Sequence, residues 1–167
     1  MFKLNDKVVY PGHGVAKISR ILKKKIAGSI ASFFELKFIH KSMTILVPVD
    51  NAKSVGIRTL SSQENLDAIF TILSQPLTPI NHEVIVANWN KRNKEYLGKI
   101  RTGDLREIGV IYRDLRHAEM CKELSFGERN LLTTTEALLA EEIALVQDVD
   151  ENIAINQIRS VIINRAL

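Results

Sequence analysis

Apolar and polar residues follow two different periods along this chain. From Phe2 to about Val55 they alternate or form short runs rich in β-branched and aromatic side chains, a pattern typical of β-strands. In the segment FFELKFIH, for example, Phe34, Leu36 and Phe38 fall on one face. Beyond this region the apolar residues recur at the helical spacing of three and four. The sequence therefore predicts a β-rich first part and an all-helical remainder.

The β-rich part predicts four or five short antiparallel strands, enough for a small barrel of the SH3 or Tudor type. One strand, GVAKISRILKKKI, runs into a hairpin turn that we place at Gly28-Ser29. In the segment MTILVPV, alternate residues share a face: Met43, Ile45, Val47 and Val49 on one, Thr44, Leu46 and Pro48 on the other. Because Pro48 has no N–H to donate, this strand is expected at an edge of the sheet.

The helical part begins at SSQENLDAIFTIL, where Ser61 or Ser62 is expected to cap the first helix. The segment SQPLTPIN then interrupts the helical pattern and is the clearest domain boundary. Later helices are predicted to start at the N-caps Asp104, Ser125 (in a capping box with Glu128) and Asp150. The chain is thus predicted as an α+β protein: a small antiparallel β-barrel at 1–60, a helix and Pro-containing linker at 61–81, and a compact all-α domain at 82–167.

The charge of the chain is distributed unevenly. The net charge is +4, yet residues 1–60 contain 11 Lys/Arg against 3 Asp/Glu, and residues 130–167 contain 2 against 6. A second group of basic residues lies between Lys91 and Arg101. This asymmetry favours an anionic partner. A single cysteine and the lack of any apolar run near the roughly 20 residues of a membrane span predict a cytoplasmic protein.

Candidate chemistry is sparse, so we predict no enzyme, no cofactor and no small-molecule substrate. His117 and Cys121 are four residues apart and would form half of a zinc site, but no further ligands follow at a motif spacing. An enzyme that uses this pair is the least favoured hypothesis. The neighbouring Glu141 and Glu142 are expected to lie on a charged, solubilising helix face.

The one tryptophan of the chain lies in VIVANWNKRNKEYLGK, beside the basic group. Trp89, Tyr96 and Ile100 share one side of an ideal helix, which favours a core anchor. Alternatively, Asn88 as the N-cap would leave the indole at an exposed helix end, next to cations, where it would stack on a base or wedge a groove. Periodicity alone does not decide between these two roles.

Two groups of motifs resemble the CarD/CdnL family of bacterial RNA polymerase-binding transcription regulators. FKLNDKVVYPGHGVAKI and MTILVPVDNAKSVGIR resemble its amino-terminal module, which transcription-repair coupling factors share. NWNKRNKEYLGKIRTGDLREIGVIYRDL and LSFGERNLL resemble its helical domain. The resemblance extends from Phe2 to about Val146, and the segment beyond Val149 resembles the family least.

The resemblance implies a function for each part. The β module would dock on the polymerase β subunit, and the helical domain would contact promoter DNA at the upstream edge of the bubble, with low sequence specificity, and stabilise the open complex. The implied DNA-contacting residues are Trp89 as a minor-groove wedge, with Lys91, Arg92, Lys94 and Arg129. The implied polymerase-contacting residues are Lys24, Leu46 and Pro48.

Two further expectations follow. Arg92 and Lys94 should both be exposed if they meet phosphates. Some relatives have arginine or methionine at the position of Leu46, so polymerase affinity would differ from theirs. The linker before Trp89 looks longer than in some relatives, so the placement of the indole would differ as well. The alternative function is a free-standing nucleic-acid-binding module without a polymerase partner.

Overall fold

Five antiparallel strands and six α-helices make up the described part of the chain, and the predicted α+β class is confirmed. The computed structural model describes residues 1–76 and 89–166. Contacts divide the chain into two units, Met1–Leu60 and Ser61–Leu167. The strands of the first unit are β1 (Lys7–Tyr10), β2 (Gly14–Ile26), β3 (Ser29–Phe38), β4 (Thr44–Pro48) and β5 (Arg58–Thr59). They form one sheet in the order β4-β3-β2-β1-β5.

The alternation seen in the sequence produces the core of the first unit. Phe34, Leu36 and Phe38 of β3 are buried together with Val47 of β4, on the face that the helix α1 (Ala52–Val55) also packs against. The opposite side chains of β4, including Leu46, lie on the other face, which we call the outer face. As Pro48 predicted, β4 is an edge strand.

A β-bulge at Ser19 interrupts this alternation in β2. Ile18 pairs with Leu36, but Arg20 pairs with Glu35, so Ser19 is an extra residue between two consecutive pairs. The Ser19 hydroxyl lies 2.8 Å from Glu35 Oε1 and also within hydrogen-bonding distance of the Glu35 carbonyl. Even-numbered residues of β2 therefore point to the core before the bulge and to the outer face after it.

The hairpin between β2 and β3 turns one residue earlier than expected. Ile26 and Ser29 form the last pair, so the two-residue loop is Ala27-Gly28, and the predicted turn at Gly28-Ser29 is wrong. Both loop residues have positive φ, 49° for Ala27 and 84° for Gly28, as a type I′ turn requires. The right-handed twist of the two long strands favours this turn type, although alanine adopts its conformation only at a cost.

The second unit contains five helices: α2 (Gln63–Ser74), α3 (Trp89–Thr102), α4 (Leu105–Cys121), α5 (Phe126–Gln147) and α6 (Glu151–Ala166). The predicted N-caps are confirmed at Ser62, Asp104 and Asp150, whose side chains accept hydrogen bonds from backbone N–H groups of the first turn. Ser125 and Glu128 form the predicted capping box at the start of α5. None of the helices in the described ranges is long and apolar enough to cross a lipid bilayer.

Helix α2 belongs to the helical core. The helix that we predicted within 61–81 is present, and its residues Leu66, Ile69 and Leu73 are buried among side chains of α3 to α6. Glu142 of α5 accepts hydrogen bonds from the backbone N–H and the hydroxyl of Ser61, just before α2. Glu142 and its neighbour Glu141 are buried, so the expectation of a solubilising face is wrong. Packing of α2 over α5 converts that face into an interior one.

A polar network joins three helices of this unit. Glu136 of α5 accepts hydrogen bonds from the Tyr112 hydroxyl of α4, at 2.7 Å, and from two nitrogens of Arg159 of α6, at 2.9 and 2.6 Å. Burial by itself raises the pKa of Glu136. The hydrogen bonds from Tyr112 and Arg159 lower that pKa by more, so the net pKa lies below the ordinary value. The three helices are thereby linked around one ionised carboxylate.

We expect Ala27→Asn to stabilise the first unit by about 0.5–1 kcal/mol, because asparagine tolerates positive φ and Asn-Gly is a preferred type I′ loop. Chemical denaturation of the full chain, followed by a probe of the sheet, measures this change. Gly28→Ala in the same loop should have the opposite sign, since Gly28 has a φ of 84°. A stabilising Gly28→Ala would contradict the assigned turn.

Candidate functional site

The three residues expected to contact a polymerase share the outer face of the sheet. Leu46 and Pro48 lie there on β4, and Lys24 lies there on β2 because it follows the bulge by an odd number of residues. Leu22 pairs with Phe33, and Phe33 pairs with Pro48, so a half-buried apolar row crosses three strands between Lys24 and Leu46. Leu46 itself is 38% exposed. The face thus combines an accessible apolar surface with an exposed cation.

The outer edge of β4 offers backbone groups for pairing. Phe38 N–H donates to the Met43 carbonyl at 3.1 Å, which fixes the phase of the β3–β4 ladder. Antiparallel partners bond at alternate positions, so the backbone groups of Thr44, Leu46 and Pro48 point away from β3. Thr44 and Leu46 each present an N–H and a carbonyl there, whereas Pro48 presents a carbonyl only.

An ion pair lies directly beside Leu46. Arg20 donates from Nε and Nη2 to the two oxygens of Glu35, at 3.0 and 2.7 Å. These hydrogen bonds and that of Ser19 lower the pKa of Glu35 below its ordinary value. The pair closes the bulge and keeps an ionised carboxylate bound next to the apolar row. No signal in the sequence indicated this ion pair, because the bulge that aligns Arg20 with Glu35 leaves no mark on the periodicity.

In the helical unit, the basic group lies at the start of α3. The described part of the helix is Trp89–Thr102; the indole side chain and the expected N-cap Asn88 fall outside the part of the chain that the structure describes, so both roles of Trp89 stay predictions. Lys91 and Lys94 are exposed in the first two turns. Two exposed ammonium groups on neighbouring turns form a basic surface on which a phosphate is favoured.

Arg92 is buried, contrary to the expectation that it faces solvent. Only 7% of it is exposed, its Nη2 donates to the Tyr96 hydroxyl at 3.1 Å, and its guanidinium carbon lies 5.4 Å from the centre of the Tyr96 ring. The reason is spacing: Arg92, Tyr96 and Ile100 are four residues apart and form one stripe, and the latter two are core residues. This stripe was visible in the sequence and would have revealed the burial.

Arg129 is exposed in the first turn of α5, just after the capping box. Glu128 beside it is buried. Lys122, which follows α4, donates to Glu128 Oε1 at 3.1 Å, so this carboxylate already has a cationic partner. Phe126, the first residue of α5, is 76% exposed. An exposed aromatic ring and an arginine therefore occupy the same helix amino terminus. The sequence pattern had indicated no role for Phe126.

The possible metal pair lies on α4. Cys121 is exposed at the end of that helix, and His117 is partly buried one turn earlier. Burial and the nearby Arg113 lower the pKa of His117 below its ordinary value. Within residues 1–76 and 89–166, no three His, Cys, Asp or Glu side chains are grouped so that they would hold a metal ion.

Comparison with known proteins covers both units. A family model described as the CarD C-terminal domain matches residues 68–159, and one described as the CarD-like/TRCF RID domain matches residues 2–61. A protein of Bacillus subtilis (strain 168), described as "Putative transcription factor YdeB", is 26% identical over 155 residues, which are 90% of this chain and 95% of that protein. The resemblance drawn from the sequence motifs is confirmed.

We expect Arg92→Ala to lower the free energy of unfolding of the helical unit by about 1–3 kcal/mol, because the buried Tyr96 hydroxyl loses its donor. Lys94→Ala on the same helix is the matched control and should change it by less than about 0.5 kcal/mol, as exposed substitutions usually do. Urea denaturation of the two full-length variants measures both. Equal, small effects would contradict the structural role of Arg92.

Proposed function

Since this chain belongs to the CarD family of transcription regulators, we propose that it docks on the β subunit of RNA polymerase and contacts promoter DNA at the upstream edge of the bubble, where it stabilises the open complex. The observation that supports this most is the outer face of the sheet. Lys24 on β2 is far in sequence from Leu46 and Pro48 on β4, yet the three share one accessible face beside an open strand edge.

Docking would use the β4 edge and the outer face together. A strand of the polymerase that pairs with β4 by β-augmentation satisfies the outward N–H and carbonyl groups of Thr44 and Leu46. Its side chains on the outer face would meet Leu46 and Pro48, while Lys24 attracts an anionic group farther along the hairpin. Main-chain pairing thus supplies affinity, and the apolar row supplies the register.

The DNA contact would belong to the amino-terminal turns of α3 and α5. Lys91 and Lys94 are exposed on α3 and Arg129 on α5, and each is suited to a phosphate. Trp89 begins α3 and would enter the minor groove at the fork. The exposed cations of these turns are suited to phosphates, which carry no base information, so the contact would read the distorted fork more than the sequence.

We assign Arg92 a positioning role and not a direct contact with DNA. Because its guanidinium is buried against Tyr96, it is a poor phosphate ligand in this conformation. It instead packs against Tyr96, a core residue one turn later on the same helix, and would so help to hold the part of α3 that would meet DNA. The exposed cations of α3 then reduce to a small group that binds free DNA weakly and in a salt-dependent way.

Leu46→Glu should weaken polymerase binding at least tenfold, because it introduces a charge into an apolar contact. The matched control is Ile30→Glu, which changes an exposed isoleucine on the opposite face of the same sheet. Purified polymerase, captured by the two folded full-length variants, gives the comparison. Undiminished capture by Leu46→Glu would count against this docking face, and nucleic-acid binding without polymerase capture by the native chain would favour a free-standing module.

Trp89→Ala should shorten the lifetime of open promoter complexes while leaving the melting temperature nearly unchanged, since a wedge loses a contact only in the DNA-bound state. Leu97→Ala removes a partly exposed apolar side chain from the same helix and should leave the lifetime unchanged. A destabilisation of about 3–5 kcal/mol by Trp89→Ala would instead identify the indole as a core anchor and reject the wedge.

A further inference from the structure

Three lysines lie side by side on the outer face, next to the surface proposed for docking. Lys7 of β1 pairs directly with Lys17 of β2, and Lys17 pairs directly with Lys37 of β3. All three are exposed. We call Lys7, Lys17 and Lys37 the lysine row. Adjacent strands are about 5 Å apart, so the row spans about 10 Å of the face.

Such a row opposes the stability of the sheet, because like charges directly opposite each other in neighbouring strands repel. The first sixty residues contain three carboxylates, and none of them forms a salt bridge with the row among the described residues. Glu35 is bound by Arg20, and Asp6 accepts a hydrogen bond from the backbone N–H of Lys3. Lys37 helps to lower the pKa of Glu35, but the row forms no ion pair within the described part of this unit, so an anion from outside it would be favoured there.

The row borders an open groove of about 480 Å³, which is lined by Asn5, Lys17, Ser19, Lys37, Phe38 and Ile39. Two lysine ammonium groups and the Asn5 amide supply donors for carboxylates around this groove. Ile39 adds partly exposed apolar surface to it. A short acidic stretch of polypeptide matches these walls in both charge and chemistry.

The position of the row indicates where such a stretch would come from. Lys37 pairs with Thr44 of β4, so the row ends at the strand edge that is open for pairing. The next row along the face is that of Arg20, Glu35 and Leu46. We propose that the lysine row is the electrostatic half of the docking surface and receives an acidic segment of the polymerase beside the strand that pairs with β4. This inference rests on the proposed function.

The register of a strand paired with β4 predicts which of its side chains would face the lysine row. A partner residue opposite Thr44 would point to the outer face, in line with Lys37, whereas a partner residue opposite Leu46 would meet an apolar side chain. Thr44 is small enough for the Lys37 ammonium to reach across it. The paired polymerase strand should therefore place an acidic residue opposite Thr44 and an apolar residue opposite Leu46. A protein partner is favoured over a phosphate backbone because the row is continuous with a strand edge and an apolar row.

The test compares two double variants of the full chain. Lys17→Gln with Lys37→Gln removes two of the three charges of the row, and Lys23→Gln with Lys25→Gln removes the same charge from exposed positions of the opposite face of the hairpin. Affinity for purified core polymerase is measured from low to high salt. The row variant should bind about fivefold to tenfold more weakly at low salt and show a shallower salt dependence. The control should change by less than about twofold.

A second readout separates binding from folding. Since the row repels itself, its partial neutralisation should raise the melting temperature of the free protein while weakening polymerase binding. A residue with only a structural role would lower the melting temperature and the affinity together. That result, or equal binding losses in the row and control variants, would overturn the inference.

The remaining outcomes distinguish this inference from the proposed function. If native protein binds polymerase, Leu46→Glu does not, and the row variant binds normally at low salt, the inference alone fails. If the row variant keeps polymerase affinity but loses affinity for free duplex DNA, the row contacts nucleic acid and the inference is also wrong. If the native chain does not bind polymerase at all, both proposals fail.

Discussion

The single extra residue at Ser19 determines which side chains the sheet displays. Before this bulge, even-numbered residues of β2 point into the core, as Ile18 does. After it they point outward, which brings Lys24 and Leu22 onto the same face as Leu46 and Pro48. Without a change of phase, the second half of β2 would display Lys23 and Lys25 there instead. The Glu35 side chain, bound by both Ser19 and Arg20, holds the bulge at this position. A bulge of this kind redirects side chains at the cost of one unpaired residue.

Three other features of the sheet shape the same surface. The hairpin beyond the bulge has no third strand on either side near its tip, so its conformation depends on the β2–β3 ladder and on the type I′ turn at Ala27-Gly28. The open edge of β4 is short and ends at a proline, which limits uncontrolled pairing with other edges. The lysine row adds a charge requirement to the same edge. In the proposed function, such a surface would accept a strand with acidic and apolar side chains and disfavour basic or wholly polar ones.

Features that depend on local chemistry were predictable from the sequence, and features that depend on distant packing were not. The caps at Ser62, Asp104 and Ser125 follow from side chains that bond their own helix start. The buried face of β3 follows from strict alternation. Glu142 looks solvated on its own helix and is buried only because α2 packs there, which no local pattern records. Arg92 is an intermediate case, because its charge suggested exposure while its spacing to Tyr96 and Ile100 indicated the core.

The burial of Arg92 changes the balance between the two units. With that guanidinium bound to Tyr96, the exposed cations of α3 near its start are Lys91 and Lys94. Each cation neutralises about one phosphate. A group this small therefore binds free DNA weakly at physiological salt. In the proposed function a docked sheet would compensate, because tethering would hold the helical unit near the promoter at an effective concentration on the order of millimolar. In the proposed function, the outer face of the sheet therefore determines where the protein acts. The helical unit needs only to distinguish a distorted fork from ordinary duplex. A regulator built this way acts at promoters without recognising their sequence.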